Sequence, residues 1–330
     1  MQGASQSAQG LAQFTLDRET CAFYKPTVMK RILSTSLALS VIALLPACKG
    51  GASADAVKLV PDEAEFIVGM NPKAIGESEL YKKFAPEFEG EADFKEAMAV
   101  FKDCGLDPLT FDAVVVGANQ GGEFVAVVAG SEVGKEDKAV CVIKAIQKQA
   151  GDEEIADVVK EGGKNVINFT DGRAYLVNDN MLALSTTDWQ DKVGELIDGK
   201  GTPAIENSKK DLMGKVDTKK AMWFVANVPA EVAGMAAMAG PEATEVKAVA
   251  GSMDFSKGIA VDFVANFGED AKAKAAADKA QEMFDSVKGE VPENLKGMVE
   301  SVKIEASGAD VKVSASASME DIDAVKSMAM

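Results

Sequence analysis

Residues 64–75 read AEFIVGMNPKAI and residues 221–232 read AMWFVANVPAEV. Each opens with a β-rich run, Ala64 to Met70 and Ala221 to Asn227, and each then reaches a proline, Pro72 and Pro229. Asn71 offers a helix cap, and Pro72 fits a first helical position because its missing N–H has no partner there anyway. Aligned, the two stretches share Ala64/Ala221, Val68/Val225 and Pro72/Pro229. Three shared letters prove little, but the same order of elements unrolls from both.

After the first stretch, one helical pattern runs through Ile75, Leu80 and Phe84 and another through Phe94, Met98 and Phe101, with Gly105 as a stop. The β-rich runs Phe111 to Ala118 and Phe124 to Ala129 flank Gln120-Gly121-Gly122, a hairpin signal. Lys135 to Ala150 places Ala139, Val142, Ile143 and Ile146 on one helical face. Strands follow over Asn165 to Thr170, Arg173 to Val177 and Met181 to Ser185, turning at Asp171-Gly172, and a helix over Asp188 to Ile197 closes the half. After the second stretch come an Ala-, Gly- and Met-rich helix, the runs Val246 to Met253 and Gly258 to Phe267, and a helix over Glu269 to Val287. Val299 to Ala306 then turns at Ser307-Gly308 into Val311 to Ala317, and a last helix starts at Met319. The expected fold is α+β: two tandem β-α-β-β-α-β-β-α units, residues 57–198 and 215–330, joined by a linker over residues 199–214. Hairpin connections make the sheet mainly antiparallel, with helices on one face. Two packed lobes and one continuous sheet both satisfy this pattern.

Upstream, Met29 to Cys48 reads MKRILSTSLALSVIALLPAC. Lys30 and Arg31 precede an uncharged apolar run, Ile32 to Leu45, and small Ala47 precedes Cys48. That order of charge, apolarity and small residues is what export and signal cleavage require. Ile32 to Ala47 is shorter than the roughly 20 residues needed to span hydrocarbon. The tetrapeptide Leu45-Pro46-Ala47-Cys48 resembles the lipobox of bacterial lipoprotein precursors. The resemblance implies a diacylglycerol on the Cys48 sulfur, cleavage before it, and acylation of the new amine. It also implies the outer membrane, because Lys49 stands where that family carries Asp for inner-membrane retention. On this reading residues 1–28 are an extension outside the fold, 29–47 the signal peptide and 48–56 a lipidated tether. Two or three acyl chains hold such a protein to its membrane without a transmembrane segment.

The part from Cys48 onward carries a large acidic excess. The four cations and two anions that precede Cys48 leave a net charge of −19 where the whole chain has −17. Such a surface repels nucleic acid, whose binding needs Lys and Arg against phosphates. Anionic headgroups repel it too, so the acyl anchor is the expected membrane contact. There is no histidine, which excludes Ser-His-Asp and Cys-His nucleophile systems and imidazole zinc sites. Of four cysteines, Cys21 lies in the extension and Cys48 carries lipid, leaving Cys104 and Cys141 free to form a disulfide in an oxidising periplasm.

Motifs for chemistry are scarce. Gly194 to Gly201 has the spacing of a phosphate loop, but Gly201 stands where a hydroxyl must reach magnesium and the motif closes a helix. Asp171-Gly172 and Asn178-Asp179-Asn180 read as turns rather than calcium loops. No metal or cofactor is expected. Met235, Met238 and Met253, with Trp223, form a candidate hydrophobic ligand surface, set against ordinary core packing. The leading expectation is a non-enzymatic, lipid-anchored envelope lipoprotein that binds or scaffolds a partner. A periplasmic-side carrier or sensor of a hydrophobic ligand is the alternative, and a His-free hydrolase built on carboxylates the third.

Overall fold

The structure, a computed structural model, describes residues 52–150, 157–229 and 244–329. Its strands are β1 (Phe66–Met70), β2 (Ala113–Ala118), β3 (Phe124–Ala129), β4 (Val158–Glu161), β5 (Lys164–Phe169), β6 (Gly172–Asn178), β7 (Met181–Thr186), β8 (Met222–Asn227), β9 (Ala248–Asp254), β10 (Gly258–Asn266), β11 (Lys303–Ser307) and β12 (Asp310–Ser318). The helices are α1 (Ala52–Ala56), α2 (Pro72–Glu77), α3 (Glu79–Phe88), α4 (Ala92–Asp103), α5 (Glu136–Ala150), α6 (Gln190–Ile197), α7 (Lys210–Met213), α8 (Asp270–Val287), α9 (Lys296–Glu300) and α10 (Met319–Ala329). All the strands belong to one sheet, ordered β11-β12-β10-β9-β8-β1-β2-β3-β7-β6-β5-β4, and every neighbouring pair is antiparallel. The expected α+β class with an antiparallel sheet is what the chain forms. Of the two arrangements the sequence left open, it takes the continuous sheet.

At its middle, β1 pairs with β8 through Val68↔Phe224. Outward from that ladder the two sides run alike: β1-β2-β3-β7-β6 on one, β8-β9-β10-β12-β11 on the other. The first side carries two more strands, β5 and β4; the reading from sequence lacked β4.

Because side chains alternate across a strand, the core divides by face. One cluster takes Ile67, Val115, Val125, Val127, Ala183, Tyr175, Trp223 and Val225; the other takes Met70, Val114, Leu182, Ala174 and Ile167. Helices lie on both faces, where the sequence predicted one. Trp189 just ahead of α6, Val193 within it and Leu212 of α7 join the first cluster, while Val100 of α4 and Ala139, Val142 and Ile143 of α5 join the second. The reason lies in strands such as β2, AVVVGA, which are apolar on both sides and need cover on both. The outer strands of the second half alternate instead. In β12, Val311 and Val313 pack under α8 while Lys312, Ser314 and Ser316 take the other face.

Two connecting segments belong to the core. The expected tether over residues 48–56 becomes helical at Ala52, and Ala56 is completely buried. The expected linker over 199–214 holds buried Ala204, Lys209 and Leu212, and it is stitched to the start of the domain. Pro203 bridges Pro61, Ala204 N–H donates to the Val60 carbonyl (3.0 Å), and Asp62 accepts from the Ser208 N–H (2.9 Å) and Asn207 Nδ2 (2.6 Å). Asn71 does precede α2, but its side chain does not cap it: Nδ2 donates to the carbonyls of Thr218 and Lys220. Gly105 follows α4 at φ +69°, the left-handed conformation that ends a helix and that glycine takes without strain.

Candidate functional site

Of the four residues expected to form an apolar ligand surface, Met235 and Met238 lie outside the described residues. The structure does not bring the other two together. Met253 on β9 pairs with Met222 on β8, so it shares the face of Met222, and adjacent Trp223 takes the opposite face. Trp223 is fully buried at the centre of the sheet, with its ring lying across Gly69 on the paired strand. A β-carbon added at Gly69 would fall 1.9 Å from the ring, so glycine here makes room for the indole. Trp223 is a core residue and Met253 a half-buried one on the other side.

Cys104 and Cys141 are joined by a disulfide with Cα atoms 5.6 Å apart. It ties the residue that ends α4 to the middle of α5, on the face that carries Met70 and Val114. Lys30, Arg31, Leu45, Pro46, Ala47 and Cys48 lie outside the described residues.

An open cleft of about 550 Å³ lies where the β4–β5 and β6–β7 turns meet the start of α5, lined among others by Glu136, Lys160, Lys164, Tyr175, Asn178 and Asp179. One of its cations is already committed to a carboxylate outside the lining. Lys164 pairs with Asp198 at 2.7 Å, and that hydrogen bond, with one from Lys200, holds the Asp198 carboxyl below its usual range. Burial pushes the Tyr175 phenol up, and its O–H donates to the Gln190 carbonyl at 2.6 Å. What is left can contact a small polar molecule but pairs no nucleophile with a base.

Sequence reasoning missed Lys209. It is 1 % exposed, just ahead of α7, with its ammonium 3.3 Å from Ser208 Oγ. Burial pushes its amine down, opposed by the charges of Asp62 and Glu65. Nothing in the sequence separates this lysine from its exposed neighbours; the apolar residues at Ala204 and Leu212 were the only hint that the segment turns inward.

Every displaced carboxylate among the described residues is displaced downward: Asp62, Glu132, Asp198, Glu245, Asp254, Asp285 and Asp310. Asp254 falls furthest, to about 2, mainly through the hydroxyl of Ser256 and then its N–H and Lys220. Tyr81 moves away from neutrality too, pushed up to about 12 by burial and by Glu89. Among the described residues no three His, Cys, Asp or Glu side chains gather as a metal site, and no helix is long and apolar enough to cross a membrane.

No protein-family model matches the chain, and no curated protein is significantly similar to it. Solved structures of TP0453 align with it at low similarity. Crystal form I gives a TM-score of 0.46 at 11 % identity, over 84 % of this chain and 98 % of that one. Form IV gives 0.46 at 9 %, and form III 0.45 at 9 %, each over 84 % of this chain and all of the other.

Proposed function

We propose that this chain is a lipid-anchored lipoprotein of the bacterial cell envelope, exported by residues 29–47, acylated on Cys48 and acting by binding or scaffolding rather than by catalysis. The run from Lys30 through the apolar segment to Leu45-Pro46-Ala47-Cys48 carries the reading. The Cys104–Cys141 disulfide supports it, since such bonds persist where the compartment is oxidising. Carboxylates held low, tyrosines pushed high and the lack of histidine support a binding role, because general acid–base catalysis at neutral pH needs groups tuned toward 7. Cys48 and helical Ala52 are four residues apart, a length of chain that spans at most about 14 Å, so an anchor on Cys48 would keep this end of the domain close to the bilayer.

We further infer that residues 57–198 and 215–330 are two copies of one unit, each keeping the common order of five strands and each placing a long helix, α5 or α8, after its third strand. The test of the anchor is mass spectrometry of the membrane-extracted protein. Its N-terminal peptide is expected to begin at Cys48 and carry diacylglycerol. A chain beginning at Met1 or Met29 with an unmodified Cys48 thiol would refute the proposal.

A further inference from the structure

The sheet ends in two strands, β4 and β11, that pair on one side only among the described residues. Such an edge presents unpaired N–H and C=O groups to any strand that can lie beside it. On β11, Ile304 faces Val313 of β12 and Ala306 faces Val311, on the side where α8 packs through Ala273 and Ala277. Lys303, Glu305 and Ser307 take the other side, opposite Ser314, Lys312 and Asp310. The helix does not close this edge: Lys303, Glu305, Ala306 and Ser307 are all exposed. Charge decides what fits there. Lys303 and Glu305 are two residues apart, so they share a face. A two-fold axis perpendicular to the sheet brings up an antiparallel second copy of β11 with its faces matched. With the axis at Ile304, Lys303 meets the second copy's Glu305, and Glu305 meets its Lys303. Moving the axis by one residue either way sets Lys303 or Glu305 against itself.

We propose that β11 is a self-association edge, through which two copies of this chain pair antiparallel about a two-fold axis at Ile304, their Lys303 and Glu305 side chains facing one another. Opposite charges directly across an antiparallel ladder favour the pairing, and like charges oppose it. The other edge offers no such register. Lys160 and Glu161 of β4 are neighbours on opposite faces, and within Val158–Glu161 every two-fold of this kind sets Lys160 against itself or against Val158. The contact is isologous and closes at two copies, whereas a β4–β11 contact would be head to tail and leave an edge free for the next copy. A single strand pair is small for an interface, so the dimer is weak, with a dissociation constant on the order of 10–100 µM. It depends on this edge and not on the membrane anchor.

The full-length chain in detergent tests it. Across the axis, position 304 meets itself with Cα atoms about 4.5–5.5 Å apart, inside the range a disulfide spans, whereas positions 305 and 306 do not meet themselves. Mild oxidation of Ile304→Cys is therefore expected to give a covalent dimer, with about tenfold less from Glu305→Cys or Ala306→Cys. Mass spectrometry of the linked peptide keeps a bridge through any native cysteine from being counted. In sedimentation velocity, Lys303→Glu is expected to raise the dissociation constant about tenfold. Lys303→Glu/Glu305→Lys should recover part of that loss, because the reversed charges again face across the axis, and Lys160→Glu on β4 should change nothing. A wild-type chain that stays monomeric well above about 100 µM overturns the proposal. So does a 304–304 cross-link no stronger than those at 305 and 306, or a dimer indifferent to Lys303→Glu.

Discussion

The disulfide gives the sharpest quantitative expectation. Cys104 and Cys141 are 37 residues apart, and the loop between them contains β2 and β3, which lie near the middle of the sheet. In the chain-entropy account, closing a loop of that length removes about 4 kcal/mol of unfolded-state freedom at 25 °C. Cys104 is 5 % exposed, so serine there would add a buried hydroxyl to the loss; alanine isolates the cross-link better. The double variant Cys104→Ala/Cys141→Ala should therefore be destabilised by about 4 kcal/mol. At about 2–4 °C per kcal/mol for a protein of this size, its thermal midpoint should fall by roughly 10 °C. Differential scanning calorimetry on the variant, and on the wild type with and without a phosphine reductant, measures this directly. Reduction should lower the wild-type midpoint nearly to that of the variant. If the variant melts within about 2 °C of the oxidised wild type, or if thiol titration of the oxidised, unfolded, unacylated protein finds Cys104 and Cys141 free, the reasoning fails.

Further expectations follow from individual contacts. Gly69→Ala drives a β-carbon into the Trp223 ring and should cost about 3 kcal/mol in urea unfolding, with Gly69→Ala/Trp223→Phe recovering part of the loss. For Asp254, the folded carboxyl titrates near 2 against an ordinary 3.8, so its stabilising contribution is complete above the ordinary value and is lost as pH falls through that window. Asp254→Asn should consequently lower stability at pH 6 by about 1–2 kcal/mol and flatten the acid limb of the stability curve between pH 4 and 2. For Lys209 the folded amine is depressed, so the unfolded chain binds the proton more tightly and stability rises with pH up to the ordinary lysine value of 10.5. Lys209→Met should abolish that alkaline rise and leave the protein as stable or about 1 kcal/mol more stable at pH 7, by chemical denaturation.

How much of this fold could be read from the chain depends on what each segment packs against. Phe124–Ala129 and Glu136–Ala150 emerge almost residue for residue, since a hairpin glycine pair and a clean helical stripe are local signals. Val158–Glu161 escapes: four residues at the sheet edge, two of them charged, have too little pattern to register. Residues 199–214 read as a linker because of their glycines, lysines and proline, and nothing local announces that Asp62 gathers Asn207 and Ser208 and draws Lys209 inside. The disulfide was legible by counting, whereas the separation of Trp223 from Met253 was not, because they lie on different strands and the register that pairs Met253 with Met222 is set by the fold and not by local sequence.

The same point settles how the two halves should be compared. The letters that align Val68 with Val225 place a residue on the Met70 face against one on the Ile67 face, since Val225 packs with Ile67 and Val68 alternates with it. A slip of one residue in a strand exchanges its two sides completely. The helices α5 and α8, which follow the third strand of each half, nevertheless pack on a common face: α5 on Val114 and Leu182, α8 on Ala265 and Val311. Corresponding strands must therefore present the same side to them. Moving the second half by one residue achieves this, setting Ile67 against Trp223 and Asn71 against Asn227. The identity that matters is then not the matched valines or prolines but Asn71, just after β1, with Asn227, the last residue of β8, and the proposed duplication rests on strand order and facing rather than on the letters that first suggested it.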